Sequence, residues 1–358
     1  MHRPSPPAVP GALTRDQCRQ TAQSIASAQE PSGAIPWFVG GHTDPWDHVE
    51  CAMALTAAGL LEQARAAFDW SRRAQRADGS WPIQIRTGTV EDENSDSNFC
   101  AYIATGIWHH VLVTGDKSFA VTMWPVVRKA IDFVIDLQVG NGEICWARSE
   151  SGPLTEALMT GCASIFHAMR CALALAALVG EPQPEWELAL GRLGHAIVAH
   201  PEAFAEKERY SMDWYYPILG GALRGPAAAA RIDHRWNDFV VGGLGIRCVD
   251  DRPWVTGAET CELVLALDAI GHRAAAHEQF AAMQHLREDD GSYWTGLVFA
   301  DGKRWPEERT TWTAAAMILA ADALSNTTRG AGIFRGHALP TGLQTDFDCE
   351  CVVSRPGR

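Results

Sequence analysis

The sequence lacks a surplus of basic residues, and this shortage restricts the partners it can bind. Its 358 residues include 30 Lys and Arg against 43 Asp and Glu, which gives a formal net charge of −13 at pH 7. Nucleic acids and anionic membrane surfaces attract proteins mainly through Lys and Arg. We therefore expect neither nucleic acid nor a membrane as a partner, and a neutral or cationic ligand fits this charge better.

An apolar leader is also absent, and no apolar stretch looks long and pure enough to span a bilayer. The first residues, Met-His-Arg-Pro-Ser-Pro-Pro, do not have the composition of an export signal. We therefore expect a cytoplasmic protein whose ten cysteines are mostly free, buried thiols. The close pair Cys349 and Cys351 has no second ligand pair at workable spacing, so we predict no metal and no cofactor.

Several catalytic motifs are missing as well. The chain contains neither a Gly-x-Ser-x-Gly nucleophile elbow nor a phosphate-binding loop. His109 and His110 have no carboxylate three or four residues further on, so they are predicted to be core histidines rather than metal ligands. These absences argue against serine-hydrolase, nucleotide and metal chemistry.

A repeated segment dominates what the sequence does contain. Each copy has Gln or another polar residue, a turn with Gly, and then Trp. The clear copies span residues 29–37, 75–81, 138–146 and 287–294, and weaker ones end near Trp214 and Trp254. A spacing of about 40 residues is the length of a helical hairpin with its loops. Six such units would fill the chain.

The helices predicted between these loops are of two alternating kinds. Amphipathic helices with a charged face are predicted at 14–29, 61–75, 116–137, 185–199, 227–239 and 273–286. Helices that are apolar on nearly every side are predicted at 45–58, 97–113, 154–178, 212–223, 257–270 and 310–324. A helix of the second kind must be surrounded by protein. The pattern predicts an all-α fold, an (α/α)6 toroid with inner and outer rings, as one domain over 1–324, followed by an irregular tail over 325–358.

Acidic residues stand where the predicted inner helices begin. Asp44, Asp47 and Glu50 open one helix, and aligning it from its cap with a second helix places them opposite Thr256, Glu259 and Glu262. Capping explains Asp44 and much of Glu259. Glu262 lies too deep to cap and is followed by Leu, Val and Leu, so it is predicted to be a general acid with a raised pKa. Its partner stays open among Asp44, Asp47 and Glu50.

Other polar and aromatic residues share the predicted mouth. The residues expected to hold sugar hydroxyls are Asp44, Glu50, Asp96, Asn98, Asp213, Tyr215 and Glu259. Aromatic rings beside such polar groups suit carbohydrates, which present both C–H faces and hydroxyl edges. We expect Trp46 and Trp214 to stack on sugars, whereas Trp81 and Trp146 are expected to plug their own turns.

The Gln-x-x-x-Gly-x-Trp repeat resembles that of squalene cyclases and protein prenyltransferase β subunits, which share the toroid. This likeness concerns architecture only. The Asp-x-Asp-Asp acid of the cyclases is absent, and Asp348-Cys349 does not supply the spacing of the prenyltransferase zinc site.

A narrower resemblance is carried by residues 40–50, Gly-Gly-His-Thr-Asp-Pro-Trp-Asp-His-Val-Glu, and residues 256–262, Thr-Gly-Ala-Glu-Thr-Cys-Glu. These segments resemble actinobacterial toroid proteins often labelled prenyltransferase, and among them the mycobacterial hydrolases of 3-O-methylmannose polysaccharide, which are α-endomannosidases. The resemblance implies cleavage of internal α-1,4-mannosidic bonds, with Asp47 and Glu262 as the catalytic acids. We expect inversion, with Glu262 as acid and Asp47 as base. A terpenoid or prenyltransferase-like enzyme and a non-catalytic glycan-binding protein are the alternatives.

Overall fold

The computed structural model of the chain describes residues 4–343. Its helices are α1 Arg15–Ala28, α2 Pro45–Ala57, α3 Leu61–Ala74, α4 Ser97–Ala101, α5 Ile103–Thr114, α6 Lys117–Ile135, α7 Met159–Val179, α8 Pro184–Ala199, α9 Ser211–Leu219, α10 Gly225–Phe239, α11 Gly257–Ala269, α12 Arg273–Ala282 and α13 Thr311–Ser325. Its strands are β1 Gln84–Arg86, β2 Thr89–Asp92, β3 Ser95–Asp96, β4 Cys145–Ser149, β5 Gly152–Ala157, β6 Val240–Val241, β7 Gly245–Arg247, β8 Trp254–Thr256, β9 Gly296–Val298 and β10 Lys303–Arg304. The fold is therefore predominantly helical, with short strands that the all-α prediction did not include.

The alternation of two kinds of helix matches the prediction, and the differences lie at helix ends. The helix predicted from 154 begins at Met159, because residues 152–157 form β5 and pair with β4. The helix predicted over 97–113 is interrupted at Tyr102, which separates α4 from α5. The helix predicted to reach 223 ends at Leu219. The helix predicted to reach 286 is α-helical to Ala282 and continues as a 3-10 helix over Met283–Leu286.

The apolar helices contact one another in cyclic order. The order is α2, α5, α7, α9, α11 and α13, and α13 contacts α2 again. Every residue of α2 and of α11 is buried, as expected for helices enclosed on all sides. By contrast, α1 buries only Cys18, Thr21, Ala22 and Ile25, which recur on one face and pack inward. The amphipathic helices thus cover the outside of a closed ring.

One inner helix is apolar enough to be mistaken for a membrane span. Helix α7 is the one helix of the described residues that is long and apolar enough to cross a bilayer by length and composition, so the expectation that no stretch qualifies was wrong. Within the fold, 78% of its most apolar window is buried. The helix is enclosed by α5, α6, α8 and α9, which accounts for its composition.

The repeated Gln side chains join neighbouring outer helices. Gln75 follows α3, and its Nε2 donates to Gly79 O in its own loop at 2.9 Å and to Val126 O of α6 at 2.9 Å. Gln29 and Gln138 make the same pair of bonds, to their own loops and to the next outer helices, α3 and α8. Each loop therefore links one hairpin to the next.

Other loop residues complete this linkage. Trp81 is buried, and its indole N–H donates to Ser71 O at the end of α3, in keeping with a turn plug. Trp146 lies half-buried in β4. After α12, Arg287 takes the place of Gln and donates to the Gln20 side chain of α1 at 2.7 Å, which joins the last outer helix to the first.

Short sheets fix the starts of inner helices. Strands β10, β9, β8, β7 and β6 form an antiparallel sheet in that order, and β8 leads directly into α11. Strands β3, β4 and β5 form another, with β3 leading into α4. These sheets lie where the inner helices begin, so they position the residues of the mouth.

The segment after α13 folds back across the opposite end of the ring. Arg335 bonds Asp268 at the end of α11 at 2.7 Å, and Arg224 donates to Phe334 O at 2.8 Å. Arg170 of α7 donates to Gly336 O and Pro340 O. The described part of the predicted tail, residues 326–343, forms turns without helix or strand. Cys349 and Cys351 lie outside the described residues.

The cysteines that the structure describes behave as predicted. Eight are free thiols, and all of them are buried except Cys248, which is half-buried.

Candidate active site

The inner helices begin at equivalent points, and this alignment defines a layer of side chains. Their N-caps are Asp44, Asp96, Leu158, Tyr210, Thr256 and Thr310. The residues six positions after these caps are Glu50, Tyr102, Ser164, Tyr216, Glu262 and Ala316. The first five of them line one small cavity within the ring. We call these five residues the acid layer.

Glu262 is held in this layer by two tyrosines of α9. Its side chain is 2% exposed. The hydroxyl of Tyr215 donates to its Oε2, and that of Tyr216 donates to its Oε1 at 2.6 Å. Burial raises the pKa of Glu262 to about 8, although the two hydroxyl bonds lower it. Such a carboxyl is protonated at neutral pH, as a general acid must be.

Glu50 faces the same cavity from α2. It is 1% exposed, and its Oε2 has no hydrogen-bond partner among the described residues. Burial raises its pKa well above the usual range, and the charge of Glu262 raises it further. Glu50 and Glu262 are therefore close enough to influence each other's ionisation.

Asp44 and Asp47 lie one turn above, at the start of α2. Asp44 caps the helix, accepting bonds from Trp46 N at 3.0 Å and Asp47 N at 2.8 Å. Burial raises the pKa of Asp47 well above its usual range, and the nearby Asp44, Glu50 and Glu262 raise it further. At 7% exposed, Asp47 is less deeply buried than Glu50 or Glu262. Acids this close in a desolvated site cannot all be ionised at neutral pH.

Aromatic rings surround these carboxyls. Trp46 stacks on Tyr102 with ring centroids 4.7 Å apart and meets Trp312 edge-on at 5.9 Å. Trp46 Nε1 is buried and has no hydrogen-bond partner among the described residues, so it is free to donate to a ligand. Trp46 and Trp312 each stand two positions after an N-cap, on α2 and α13.

Asp96 and Asn98 lie beside this group at the start of α4. Asp96 is the N-cap and accepts a bond from Phe99 N at 3.0 Å. Burial raises its pKa to about 7, and the charge of Asp44 contributes to the rise, so these two acids are near each other. Asn98 Oδ1 is buried without a partner.

Asp213 and Glu259 occupy the level of Asp47, three positions after their N-caps. Asp213 accepts a bond from the Thr160 hydroxyl at 2.5 Å, and burial raises its pKa. Burial also raises the pKa of Glu259, whereas the hydroxyl of Thr256 lowers it.

Trp214 is placed apart from the other predicted site residues. Its indole N–H donates to Arg231 O of α10 at 2.8 Å, and its ring stacks on Phe239 with centroids 5.2 Å apart. It is 3% exposed. Its ring therefore packs between α9 and α10 rather than beside Trp46, and its role as a sugar platform stays a prediction.

Residues 4–343 contain no group of three or more His, Cys, Asp or Glu suited to holding a metal ion.

Comparison with known proteins identifies the family. The chain is 77% identical over 348 residues to the MMP endo-(1,4)-3-O-methyl-alpha-D-mannosidase of Mycolicibacterium hassiacum, and the match covers 97% of both chains. The chain belongs to this endomannosidase family. The glutamates, tyrosines and tryptophans described above thus stand in a chain that matches a family member along nearly its whole length.

Solved structures resemble the family's fold at much lower identity. A glycosidase variant in complex with glucose has a TM-score of 0.68 at 14% identity, covering 89% of this chain and 96% of its own. A D-mannose isomerase has a TM-score of 0.62 at 10% identity, covering 88% of this chain and 99% of its own. These similarities support the fold alone. No family model matches the sequence.

The structure adds four residues to those predicted for this candidate site: Tyr102, Ser164, Tyr216 and Trp312. Trp312 follows the Thr310-Thr311 helix start as Trp46 follows Asp44-Pro45, so extending the cap alignment to a third helix would have found it. Tyr102 and Tyr216 share the position of Glu50 and Glu262 after their caps.

Proposed function

We propose that this protein is an endo-acting glycoside hydrolase that cleaves internal α-1,4-mannosidic bonds of a 3-O-methylmannose polysaccharide. The single observation that carries the proposal is the 77% identity, over 97% of both chains, to a protein named for that reaction. The buried carboxyls with raised pKa values, next to aromatic rings, agree with it, because glycosidases use one protonated and one ionised carboxyl.

The proposed mechanism is inversion. Glu262, protonated at neutral pH, donates its proton to the glycosidic oxygen. Asp47, the least buried of the three closely placed acids, activates water on the opposite face of the sugar. When Glu50 and Glu262 are both protonated, they carry no negative charge that would oppose the ionisation of Asp47. Glu50 remains the alternative base, because it lies on the same helix and one turn deeper.

The remaining predicted residues are proposed as substrate contacts. Trp46 provides the stacking surface, and Asp44, Glu50, Asp96, Asn98, Asp213, Tyr215 and Glu259 hold sugar hydroxyls. Trp214 is retained with less direct support, because its indole N–H already bonds Arg231 O.

The fold that presents these groups is proposed to be an (α/α)6 toroid in one domain. The cyclic contacts of α2, α5, α7, α9, α11 and α13, each with an outer helix behind it, support this assignment. In such a ring the mouth collects the N-terminal ends of the inner helices, which favour ionised carboxylates such as that of the proposed base.

Two variants test the assignment. Glu262→Gln and Asp47→Asn should each lower the release of reducing ends from 3-O-methylmannose polysaccharide by at least about a thousandfold, while Glu278→Gln on the exposed face of α12 should not. Near wild-type cleavage by either site variant would refute its role. If the wild-type protein binds the polysaccharide and releases no reducing ends, it is a glycan-binding protein instead.

Stereochemistry is tested separately. Proton NMR of the first-formed product should show the β anomer at the new reducing end if the enzyme inverts an α linkage. An initial α anomer would require a retaining mechanism.

A further inference from the structure

A small cavity lies directly beneath the acid layer. Its lower wall contains His167, Leu219 and Leu265, which stand nine positions after the N-caps of α7, α9 and α11, and its floor is Phe334 from the segment after α13. The cavity has room for about one water molecule. It therefore lies deeper than the proposed contacts with the sugar.

Two buried polar atoms of the cavity wall lack partners among the described residues. They are Oε2 of Glu50 and Nδ1 of His167, whose residues are 1% and 2% exposed. Leu219, Leu265 and Phe334 cannot supply a hydrogen bond. A buried polar atom is normally satisfied by protein or by an ordered water, and a water in such a site needs two or more polar partners. Glu50 and His167 provide these two partners.

The contacts of His167 determine which of its nitrogens donates. Its Nε2 lies 3.6 Å from Cys171 Sγ, and its ring stacks on Phe334 with centroids 5.0 Å apart. Burial raises the pKa of the Cys171 thiol to about 12, so the thiol is protonated and its S–H is able to donate to Nε2. Burial lowers the pKa of His167 to about 3, so the ring is neutral. In the tautomer that accepts this bond at Nε2, Nδ1 carries the hydrogen and is a donor.

We propose that His167 is a positioning residue that holds Glu50 through one buried water molecule. Nδ1–H donates to the water oxygen, and the water donates to Oε2 of Glu50. The inference rests on the proposed function, because it concerns how the catalytic carboxyls are held. A donor to Glu50 favours the ionised form of Glu50 itself, and the charge of an ionised Glu50 raises the pKa of Asp47 on the same helix.

The groups around Glu50 explain why a hydrogen-bond donor to its carboxyl matters. Glu262 and Asp44 raise the pKa of Glu50, the Trp312 indole lowers it, and the hydroxyls of Tyr102 and Tyr216 border the same cavity. Asp47 lies on the same helix, and its own pKa is raised by Glu50. Because a charge on one of these acids raises the pKa of its neighbours, a donor to Glu50 lowers the pKa of Glu50 and raises that of Asp47.

The cations nearest to His167 serve a different purpose. Arg170 and Arg224 lower its pKa. The guanidinium of Arg170 bonds Gly336 O and Pro340 O, and that of Arg224 bonds Phe334 O. These bonds hold the segment after α13 in place. The neutral imidazole of His167 is then the group left to donate toward the cavity.

The test compares two substitutions of His167 with a matched control. His167→Leu removes the donor, whereas His167→Asn keeps an amide N–H near the place of Nδ1. His109→Leu is the control, because His109 is also buried on an inner helix with an unpartnered Nδ1 but does not line the cavity. The measurement is kcat and KM for polysaccharide cleavage between pH 4 and 9, together with Tm.

We expect His167→Leu to lower kcat about tenfold with KM changed less than about twofold, because Glu50 is held less firmly. We expect the acidic limb of kcat/KM to move downward by roughly 0.5 to 1 pH unit, because Glu50 without its donor stays protonated and no longer raises the pKa of the proposed base Asp47. His167→Asn should restore most of both, and His109→Leu should lower Tm without moving the limb. An unmoved limb in His167→Leu, or His167→Asn as impaired as His167→Leu, would overturn the proposal. Loss of activity in Glu262→Gln with no change in the His167 variants rejects this inference alone, whereas an active Glu262→Gln rejects the proposed function.

A second measurement does not depend on the variants folding. Nitrogen-15 NMR of histidine-labelled wild-type protein should show His167 neutral at pH 7 with the hydrogen on Nδ1. The Nε2-protonated tautomer would overturn the proposal.

Discussion

At the scale of single residues, burial raises the pKa of Glu262, and the hydroxyls of Tyr215 and Tyr216 lower it. Their hydroxyl hydrogens stabilise the carboxylate, and they oppose the larger effect of burial. In Tyr216→Phe one donor is lost, so the pKa of Glu262 rises further above about 8. A general acid works while protonated, so the alkaline limb of kcat/KM should move to higher pH, by about 1 unit, although kcat falls because the carboxyl is held less firmly. Tyr210→Phe, an exposed tyrosine just before α9, is the control.

The measurement is the pH profile of polysaccharide cleavage by both variants. An alkaline limb in Tyr216→Phe that coincides with the wild-type limb would mean that Glu262 does not act as the acid, or that Tyr215 alone sets its pKa.

Trp46 and Trp214 were both predicted to stack on sugars, but the structure places them in different surroundings. Trp46 has a buried indole N–H without a partner, whereas that of Trp214 is bonded to Arg231 O. Trp46→Leu should lower kcat/KM at least about tenfold, through loss of stacking and of a donor. Trp214→Leu should lower Tm by several degrees and leave kcat/KM within about threefold, because it opens a gap in the packing of α9 on α10.

These two variants are compared in parallel by kinetics and thermal unfolding. Equal losses of kcat/KM at a temperature where both are folded would place Trp214 in contact with substrate.

At the scale of elements, the repeat loops depend on glycine where they meet an outer helix. Gly79 has φ of +96°, and a Cβ built on it would lie 2.1 Å from Lys129 O of α6. Gly88 has φ of +84° in the β1–β2 turn, and a Cβ there would meet no atom within 4 Å. Gly79→Ala therefore adds a backbone clash to the cost of the left-handed conformation, whereas Gly88→Ala incurs that cost alone.

We expect Gly79→Ala to lower the free energy of unfolding by roughly 3 kcal/mol and Gly88→Ala by about 1 kcal/mol. Urea and thermal unfolding of both variants measure the difference. Equal effects would show that the contact with α6 relaxes without cost.

The residues at the helix starts explain which parts of the candidate site could be predicted from the sequence. Glu262 could be found because α2 and α11 begin with readable caps, Asp44 and Thr256, and the distance from the cap fixes the depth of a side chain. Helices α7 and α9 have Leu158 and Tyr210 as N-caps, residue types that do not mark a helix start, so their register could not be counted from the sequence. Ser164 was missed as a site residue for that reason, whereas Tyr216 was missed although Asp213 and Tyr215 on the same helix were predicted.

The direction in which a side chain packs was the second property that could not be predicted from the sequence. Which way Trp214 points depends on the partner helix α10, and a sequence pattern does not specify that contact. The boundaries at 154 and 97–113 were wrong for a similar cause, because β5 and the break at Tyr102 arise from sheet pairing and from the turn into the ring. The alternation of buried and amphipathic helices was readable because burial on one face or on all faces leaves a direct mark on composition.

At the scale of the whole molecule, the buried acids couple the site to stability. The folded-state pKa of Glu262 is about 8, above its usual value of 4.5, so between these values the native state binds a proton that the unfolded chain has released. Stability therefore falls as pH rises through this window, by up to about 1.4 kcal/mol per pH unit for each such proton, and levels off above the folded pKa. Asp47 and Glu50, whose pKa values are also raised, add to the slope.

Replacing one of these titrating acids should make the thermal stability of the protein depend less on pH. Glu262→Gln stays neutral in both states, so its Tm should decline less than the wild-type Tm between pH 5 and 8, and the variant should become relatively more stable at the alkaline end. Glu278→Gln, on the exposed face of α12, should follow the wild-type curve. Thermal unfolding of the three proteins across this range measures the slopes directly. A Glu262→Gln curve parallel to wild type would show that Glu262 is ionised in the folded protein at neutral pH, and would remove the basis for its role as general acid.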